Sequence, residues 1–315
     1  MFLKYTKLNE DYSTVRQVLK QEFHISSNLL TDLRKTESVF LNESPIYLDA
    51  KIVDNDVISV NIDFDEECNN LVATKIPLDI LYEDDSMLII NKPAGIPVHP
   101  SMQHFEDSLS NGVKYYFDSI GLKRKIRPVN RLDRNTSGIV IFAKNAYIHD
   151  RLSNLMQANL FKKEYIAICE GVFEEKEGTI NAPIARKENS IIERCVSPLG
   201  ASAITHYNVL KEFSIDGHDM SEVHVVLETG RTHQIRVHMA YIGHPIVGDT
   251  LYGTKSDFID RQALHAYKVE FVHPISGKLL CINCNWSDYG AGMRKNSILC
   301  FNLSYITRFI VFTLT

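Results

Sequence analysis

The sequence predicts an α+β fold with a mostly antiparallel, mixed sheet flanked by helices, and three observations lead to this prediction. Stretches with the alternating or continuous apolar pattern of strands outnumber stretches with helical periodicity. Several predicted strands follow one another across short polar turns, as strands of hairpins do. The 315 residues have an ordinary hydrophobic content of 44% and no internal repeat, so one large or two modest globular domains are expected.

Residues 1–70 are predicted to form a small α+β unit. Apolar residues at helical spacing predict one helix, and a serine cap followed by three leucines predicts a second. The expected elements are a helix over Thr14–Phe23, a helix capped by Ser26 or Ser27 that carries Leu29, Leu30 and Leu33, and strands at Val39–Leu41 and Ile58–Ile62. The acidic run Asp63–Asn70 is a candidate linker to the rest of the chain.

Residues 71–295 are predicted to form the main body. Its expected elements are a hairpin of Leu81–Asp84 and Met87–Pro93, an extended loop over Ala94–Pro100, helices at Ser108–Gly121, His149–Ala158 and Thr232–Ile242, and strands at Ile139–Ala143, Glu164–Glu170, Ala203–Leu210, Glu222–Leu227, Lys268–Val272 and Leu279–Asn285. Residues 296–315 are an atypical apolar tail. Because this tail is short and contains Arg308, a membrane span is not expected there.

The charges are distributed unevenly along the chain. The formal net charge is -5, yet Gly121–Tyr165 contains ten basic and three acidic residues. A basic segment in an acidic protein favours a local site for an anion, and a polyphosphate is the obvious candidate. The alternative is a solvated helix face without a partner.

The cysteines and the N-terminus indicate a cytoplasmic protein. Six scattered cysteines do not form a disulfide framework, and the first residues lack the apolar core of a signal peptide. Cys281 and Cys284 have the spacing of half a zinc site, but no second pair completes it, so they are expected to be structural residues on a strand.

The segment Asn130–Gly138 (NRLDRNTSG) carries the strongest chemical signal. Asp133 lies between Arg131 and Arg134 in a polar turn that runs into an apolar strand. Neighbouring cations favour the ionised form of a carboxylate, which can then act as a nucleophile or base, while the arginines hold a polyanion. The alternative is an Asx-turn in which Asp133 or Asn135 bonds to local backbone.

A second polar segment, Gly230–His238, joins a predicted strand to a predicted helix. Arg231 and Thr232 are expected at the helix N-terminus, where free N–H groups attract an anion, and Asp133 is the attractive partner. The alternative for Arg231 is a solvated surface residue. His233, His238 and His244 lack the spacing of a helical zinc pair, so no metal site is expected.

Six segments in order resemble the RluA-type pseudouridine synthases: Leu88–Pro97, Arg131–Gly138, Lys163–Tyr165, Gly230–His238, His244–Tyr252 and Leu264–Gly277. This resemblance implies an enzyme that isomerises uridine to pseudouridine in structured RNA, either 23S ribosomal RNA or transfer RNA, without a cofactor. It also implies that residues 1–70 are a divergent S4-like module, although the usual S4 surface is basic and this one is acidic. We expect a monomer that has no obligate protein partner and does not associate with a membrane.

The resemblance also implies roles for individual residues. Asp133 attacks the uridine, with C1′ as the expected site, and the glycosidic bond breaks through a transient adduct or a glycal before the uracil turns and rejoins through C5. Tyr165 packs against the base and is a candidate to take a proton from C5 or the sugar. Arg231 pairs with Asp133. The remaining assignments are Arg131 as the residue that enters the RNA stack, Asn130 (where many members carry His), Arg134 and Lys163 as RNA contacts, and Ile235 and Leu132 as pocket residues.

Two alternatives belong to other functional classes. A non-catalytic RNA-binding protein could retain the fold, but the complete set of Asp133, Tyr165 and Arg231 argues against it. An Asp-dependent glycosidase would need a second acidic residue near Asp133, and none is adjacent in sequence.

Overall fold

The computed structural model describes residues 1–8 and 10–286, so the predictions for the apolar tail lie outside the described residues. The N-terminal elements are β1 (Phe2–Thr6), α1 (Val15–Gln21), α2 (Ser27–Lys35), β2 (Val39–Leu41), β3 (Ser44–Pro45) and β4 (Val57–Asn61). They form a sheet in the order β1-β4-β2-β3. Both predicted helices and both predicted strands are present. The prediction missed β1, a short strand with a charged residue at its centre and no fully buried position.

Local capping explains where the two N-terminal helices begin. The Gln17 side chain accepts a hydrogen bond of 3.0 Å from the backbone N–H of Thr14, the N-cap of α1. The Ser26 hydroxyl accepts one from Leu29 at the start of α2. These contacts satisfy N–H groups that a helix start leaves without an intrahelical partner. The assignment of this unit to the S4 type stays a prediction.

The body is built around one large sheet. Its elements are β5 (Asp79–Glu83), β6 (Met87–Lys92), α3 (Leu109–Ser119), β7 (Arg127–Pro128), β8 (Ser137–Ala143), α4 (Ala146–Gln157), β9 (Lys162–Glu170), β10 (Glu177–Asn181), β11 (Ile184–Arg186), β12 (Arg194–Val196), β13 (Ile204–Ile215), β14 (His218–Leu227), α5 (Gln234–Tyr241), β15 (Leu264–Val272) and β16 (Leu279–Asn283). The strand order is β10-β13-β14-β9-β15-β8-β6-β5, with β16 on β15 and β7 on β8, while β11 and β12 form a separate hairpin.

The pairing confirms the predicted fold class. Among the strand pairs of the described residues, β15 and β8 run parallel and the others run antiparallel. Every residue of β6 and β8 is buried. Met87 and Ile89 pack on one face of the sheet, in the apolar cluster with α4, whereas Leu88 and Ile90 pack on the other with α3. Strands that are covered on both faces have continuous apolar sequences, which explains the apolar runs at β6 and β8.

The N-terminal unit is joined to the body by a shared apolar cluster and by ion pairs. Arg124, which is buried, contacts Asp63 at 2.7 Å and Asp65 at 3.1 Å. Arg127 contacts Glu66 at 2.6 Å. The acidic run, a candidate linker from its sequence, is therefore bound to the body by ion pairs. The expectation that the whole basic segment serves an external anion is also wrong for these two arginines, because the chain's own carboxylates occupy them.

Removal of Arg124 is expected to destabilise the protein. Arg124→Ala should lower the free energy of unfolding by about 2 kcal/mol, less than the loss of a fully buried pair, since Asp63 is partly exposed. Burial would raise the pKa of Asp63, but Arg124 and the amine of Met1 together lower that pKa. The stabilisation is therefore present above the carboxyl's ordinary pKa and is lost as the pH falls through the lowered value.

Urea unfolding at pH 7 and at acidic pH measures this difference. Lys123→Ala is the matched control, because Lys123 is exposed and lies 4.0 Å from Asp65. A change as large for Lys123→Ala as for Arg124→Ala would contradict the interpretation.

Candidate active site

Asp133 lies in the turn that enters β8, and its side chain points away from that turn. The backbone N–H of Thr136 donates to the Asp133 carbonyl at 3.0 Å, which closes the turn through backbone alone. The carboxylate instead accepts a hydrogen bond from Arg236, and its side chain is 26% exposed. The Asx-turn alternative is therefore wrong for Asp133, since its charge faces a pocket rather than local N–H groups.

Asn130 fixes this turn to β8. Its Nδ2 donates to the carbonyl of Ile139 at 3.0 Å, and its Oδ1 accepts from the N–H of Ile141 at 2.9 Å. One N–H of the amide and its oxygen are used by the strand, which disfavours the expected contact of Asn130 with a flipped nucleotide. Asn130 is a clamp for the turn.

A buried lysine ties the turn to the extended loop after β6. The Lys92 side chain is fully buried, and its Nζ donates to the carbonyls of Pro93, Ile96 and Arg134 at 2.8, 2.9 and 2.9 Å. Burial and then the charge of Arg261 lower the pKa of Lys92 to about 7, and the charge of Asp133 opposes this shift. In either protonation state the amine has at least two N–H groups for these carbonyls, so it connects the two segments.

Arg134 adds to the same connection. Its Nε donates to the carbonyl of Gly95 at 2.9 Å, and the N–H of Gly95 donates back to the Arg134 carbonyl at 2.9 Å. The family resemblance implied an RNA contact for Arg134. In the structure it is exposed and holds the loop, so at least one of its donors is used within the protein.

Gly138 brings the turn close to the centre of the sheet. It has a φ of 114°, and a Cβ at this position would overlap the backbone carbonyl of Ala266 on β15. Ala266 is also paired with Tyr165 on β9. A side chain at residue 138 would therefore separate the Asp133 turn from the strand that carries Tyr165.

Arg236 on α5 holds Asp133 in place. Its Nη1 donates to Asp133 Oδ2 at 2.9 Å, while its Nε and Nη2 donate to the two oxygens of Asp249 at 2.7 and 2.8 Å. The Asp249 side chain is fully buried. Burial would lower the pKa of Arg236, but the two carboxylates raise it further, so the guanidinium stays charged. Asp249 thus orients Arg236, and Arg236 orients Asp133.

The predicted pairing of Arg231 with Asp133 is wrong. Helix α5 begins at Gln234, two residues later than predicted, which leaves Arg231 in the preceding turn. Arg231 is exposed there, and its Nε donates to the carbonyl of Ser202 at 2.9 Å. The first six residues of α5 are all buried, so an argument from one apolar face could not identify which polar residue points inward.

The pocket around Asp133 combines apolar and basic side chains. Its lining residues are Arg131, Leu132, Asp133, Thr136, Tyr165, Leu227, Arg231, His233, Gln234, Ile235, Arg236 and Leu264. Among these described residues Asp133 is the sole carboxylate, so the second acid that a glycosidase needs is not in the pocket. The structure therefore brings most of the predicted site residues together, including Arg231 at the rim.

Tyr165 is buried in this pocket and keeps its proton. Burial, followed by the charge of Asp133, raises the pKa of its phenol. In the resting site Tyr165 is thus a proton donor, which disfavours the suggestion that it takes a proton. Lys163 lies two residues earlier on β9, beside Gly230 and outside the pocket lining, and burial lowers the pKa of its amine.

The fold itself uses two of the three histidines. His238 bonds to the Thr205 hydroxyl at 2.8 Å and to the Ala182 carbonyl at 2.9 Å. His244 stacks on Phe173 with a centroid distance of 3.7 Å. Within residues 1–8 and 10–286 there is no group of three or more side chains placed to hold a metal ion, and no helix is long and apolar enough to cross a membrane.

The chain is similar to known proteins along most of its length. A model of the family described as RNA pseudouridylate synthase matches residues 86–241. A Bacillus subtilis protein, "Uncharacterized RNA pseudouridine synthase YjbO", is 41% identical over 81% of this chain and 89% of its own. "Ribosomal large subunit pseudouridine synthase D" of Escherichia coli is 36% identical over 72% of each chain. The solved structure of "Human RNA Pseudouridylate Synthase Domain Containing 1" has a TM-score of 0.56 and 26% identity, and the match covers 67% of this chain and 84% of that one.

Replacement of Lys92 tests its connecting role. Lys92→Met keeps the apolar stem but leaves buried carbonyls without a donor, so the free energy of unfolding should fall by about 2 kcal/mol or more. Lys163→Met is the matched control, because no described residue accepts a hydrogen bond from the half-buried Lys163. Chemical denaturation measures both variants, and equal stability of Lys92→Met and the unmodified chain would contradict this role.

Proposed function

Since the chain belongs to the family of RNA pseudouridine synthases, we propose that Asp133 is the catalytic carboxylate with which it converts uridine to pseudouridine in structured RNA. The observation that carries this proposal is the 2.9 Å contact between Arg236 and Asp133 at a pocket that also contains Tyr165. The contact orients a carboxylate next to apolar walls that can hold a base.

The proposed reaction conserves all atoms of the substrate. An Asp133 oxygen bonds to C1′ while the C1′–N1 bond breaks and its electron pair goes to N1 of the uracil. After the uracil turns, C5 bonds to C1′ and the C1′–oxygen bond breaks, which returns the electron pair to the carboxylate. The proton leaves C5 and N1 gains one. In the glycal variant, Asp133 takes the proton at C2′ while the C1′–N1 bond breaks and a C1′=C2′ double bond forms, and it returns that proton to C2′ when C5 bonds to C1′. Neither variant transfers electrons to a redox partner.

The pocket walls suit an extruded uracil. Tyr165 offers its ring for stacking, and Leu132 and Ile235 provide apolar contact on neighbouring sides. The buried phenol also has a proton to donate, since its pKa is raised. An enzyme that acts on a base must take that base out of the stack, and a pocket of this composition accepts it after extrusion.

Three cations near the pocket mouth are proposed to contact the RNA. Arg131 is exposed at the rim, and none of the described residues forms a hydrogen bond or ion pair with its side chain. We assign it to the space that the extruded base leaves in the RNA stack. Arg231 retains its terminal nitrogens for a phosphate, and Lys163 adds positive charge beside Gly230. Arg134 and Asn130 serve the turn instead.

The RNA is proposed to be ribosomal, with transfer RNA as the second candidate. The E. coli relative named for the ribosomal large subunit supports this choice. The proposal includes cytoplasmic action as a monomer and an S4-like role for residues 1–70. A non-catalytic RNA-binding protein is disfavoured, because binding alone does not require the buried Asp249 and Arg236 that orient Asp133.

Loss of the Asp133 charge should abolish the reaction. Asp133→Asn keeps the size of the side chain but removes the nucleophile, so tritium release from RNA that contains [5-³H]uridine should fall about 1,000-fold or more. Fluorescence anisotropy should show RNA affinity that is unchanged within about threefold. Tritium release at the unmodified rate would contradict the role of Asp133.

Substitutions of Arg236 and Arg231 should affect different kinetic parameters. Arg236→Ala leaves Asp133 without its partner and should lower kcat about 100-fold or more, with a small effect on KM. Arg231→Ala removes a rim cation and should mainly raise KM, with a larger effect at low salt than at high salt, because salt already weakens this phosphate contact in the unmodified protein. Steady-state tritium release with both variants measures the split, and a larger kcat loss for Arg231→Ala would restore the pairing predicted from the sequence.

A further inference from the structure

His233 has an unusual backbone conformation at the edge of the pocket. It is the N-cap of α5 with φ 59° and ψ 19°, the left-handed region, and its side chain does not cap the helix. A residue with a Cβ in this region is strained by about 1 kcal/mol. The imidazole is 12% exposed and lines the pocket with Asp133. The conformation thus turns the ring toward the reacting carboxylate instead of toward the helix.

Tyr252 determines which nitrogen of His233 carries the proton. The Tyr252 hydroxyl lies 2.7 Å from His233 Nδ1, and it accepts a hydrogen bond of 2.9 Å from the N–H of Arg194. The hydroxyl is therefore free to donate its own proton to Nδ1, which places the imidazole proton on Nε2. The opposite tautomer would direct the Nε2 lone pair at a carboxylate oxygen, which is electrostatically unfavourable.

The protonated Nε2 then faces Asp133. The distance from Nε2 to Asp133 Oδ2 is 3.8 Å. Burial lowers the pKa of His233 against the effect of Asp133, and the charges of Arg236 and Arg194 lower it further while Asp249 opposes them. The ring is accordingly a neutral donor at neutral pH.

The two oxygens of Asp133 have different surroundings. Arg236 Nη1 and His233 Nε2 both approach Oδ2, at 2.9 and 3.8 Å. No described residue donates a hydrogen bond to Oδ1. A carboxylate with donors on one oxygen keeps the lone pairs of the other oxygen available, and it cannot rotate without losing those donors.

We propose that His233 is a positioning residue that, together with Arg236, holds Oδ2 of Asp133 and so assigns Oδ1 as the oxygen that reacts with the ribose. A shift of less than about 1 Å brings Nε2 within hydrogen-bond distance of Oδ2 when substrate closes the pocket. Tyr252 sets the tautomer that makes this possible. The inference rests on the proposed role of Asp133.

Two substitutions of His233 distinguish the contribution of its N–H donor from the contribution of its backbone conformation. Asn tolerates the left-handed conformation well, but its amide is too short to reach Asp133. Gln is more strained there, yet its Nε2 lies about as far from Cβ as the histidine Nε2 and carries N–H groups. If the donor matters, His233→Gln should be the more active variant; if only the backbone conformation matters, His233→Asn should be.

Single-turnover tritium release and RNA binding measure the outcome. We expect His233→Asn to lower the rate about 10-fold with KM unchanged within about twofold, and His233→Gln to recover most of the loss despite lower thermal stability. Equal rates for the unmodified protein and His233→Asn, or a variant order in which Asn exceeds Gln, would overturn the inference. Asp133→Asn is run in parallel: if it stays active, the proposed role of Asp133 fails, whereas an inactive Asp133→Asn with a fully active His233→Asn refutes the His233 role alone.

A double-mutant comparison tests the tautomer. Tyr252→Phe should lower the rate about threefold to 10-fold in the unmodified background, and it should have no further effect in His233→Asn, because the two residues act through one imidazole. Independent, multiplicative effects of the two substitutions would refute the assigned role of Tyr252.

Discussion

The ion pair between Asp249 and Arg236 is the interaction on which the site depends. A buried arginine is costly unless its donors are satisfied, and Asp249 satisfies two of them with a bidentate contact. An N–H of the third nitrogen, Nη1, donates to Asp133. The turn that carries Asp133 is fixed independently by Asn130 and Lys92. The ion pair and the turn, each held by contacts of its own, therefore meet at the 2.9 Å hydrogen bond between Arg236 and Asp133.

The sequence predicted the fold class and the position of the polar turn at Asp133, for physical reasons. Strands β6 and β8 are continuous apolar runs, and such runs bounded by polar turns are readable without a structure. The turn at Asp133 stands out because neither helix nor strand propensity explains a cluster of charged residues there. The motif order then located Tyr165 and the segment of α5 correctly.

The contacts between distant segments could not be read from the sequence. Arg231 and Arg236 are equally plausible partners for Asp133 on paper, and the choice depends on a helix start that differs by two residues. The side chains of Lys92 and Asp249 look like surface charges in sequence, yet both are buried. The acidic run Asp63–Asn70 has the composition of a linker, and its pairing with Arg124 becomes visible only in the structure. Charge identifies such groups, but the fold decides their partners.

The position of β15 has a consequence for how the newly synthesised chain folds. This strand lies between β8 and β9 and pairs with both, although it comes more than ninety residues after β9 in the chain. Until Leu264–Val272 has been synthesised, β8 and β9 are connected through α4 but lack the strand that pairs with both of them. We therefore expect the sheet to form in two parts, which β15 joins late in folding and so brings the Asp133 turn and Tyr165 together.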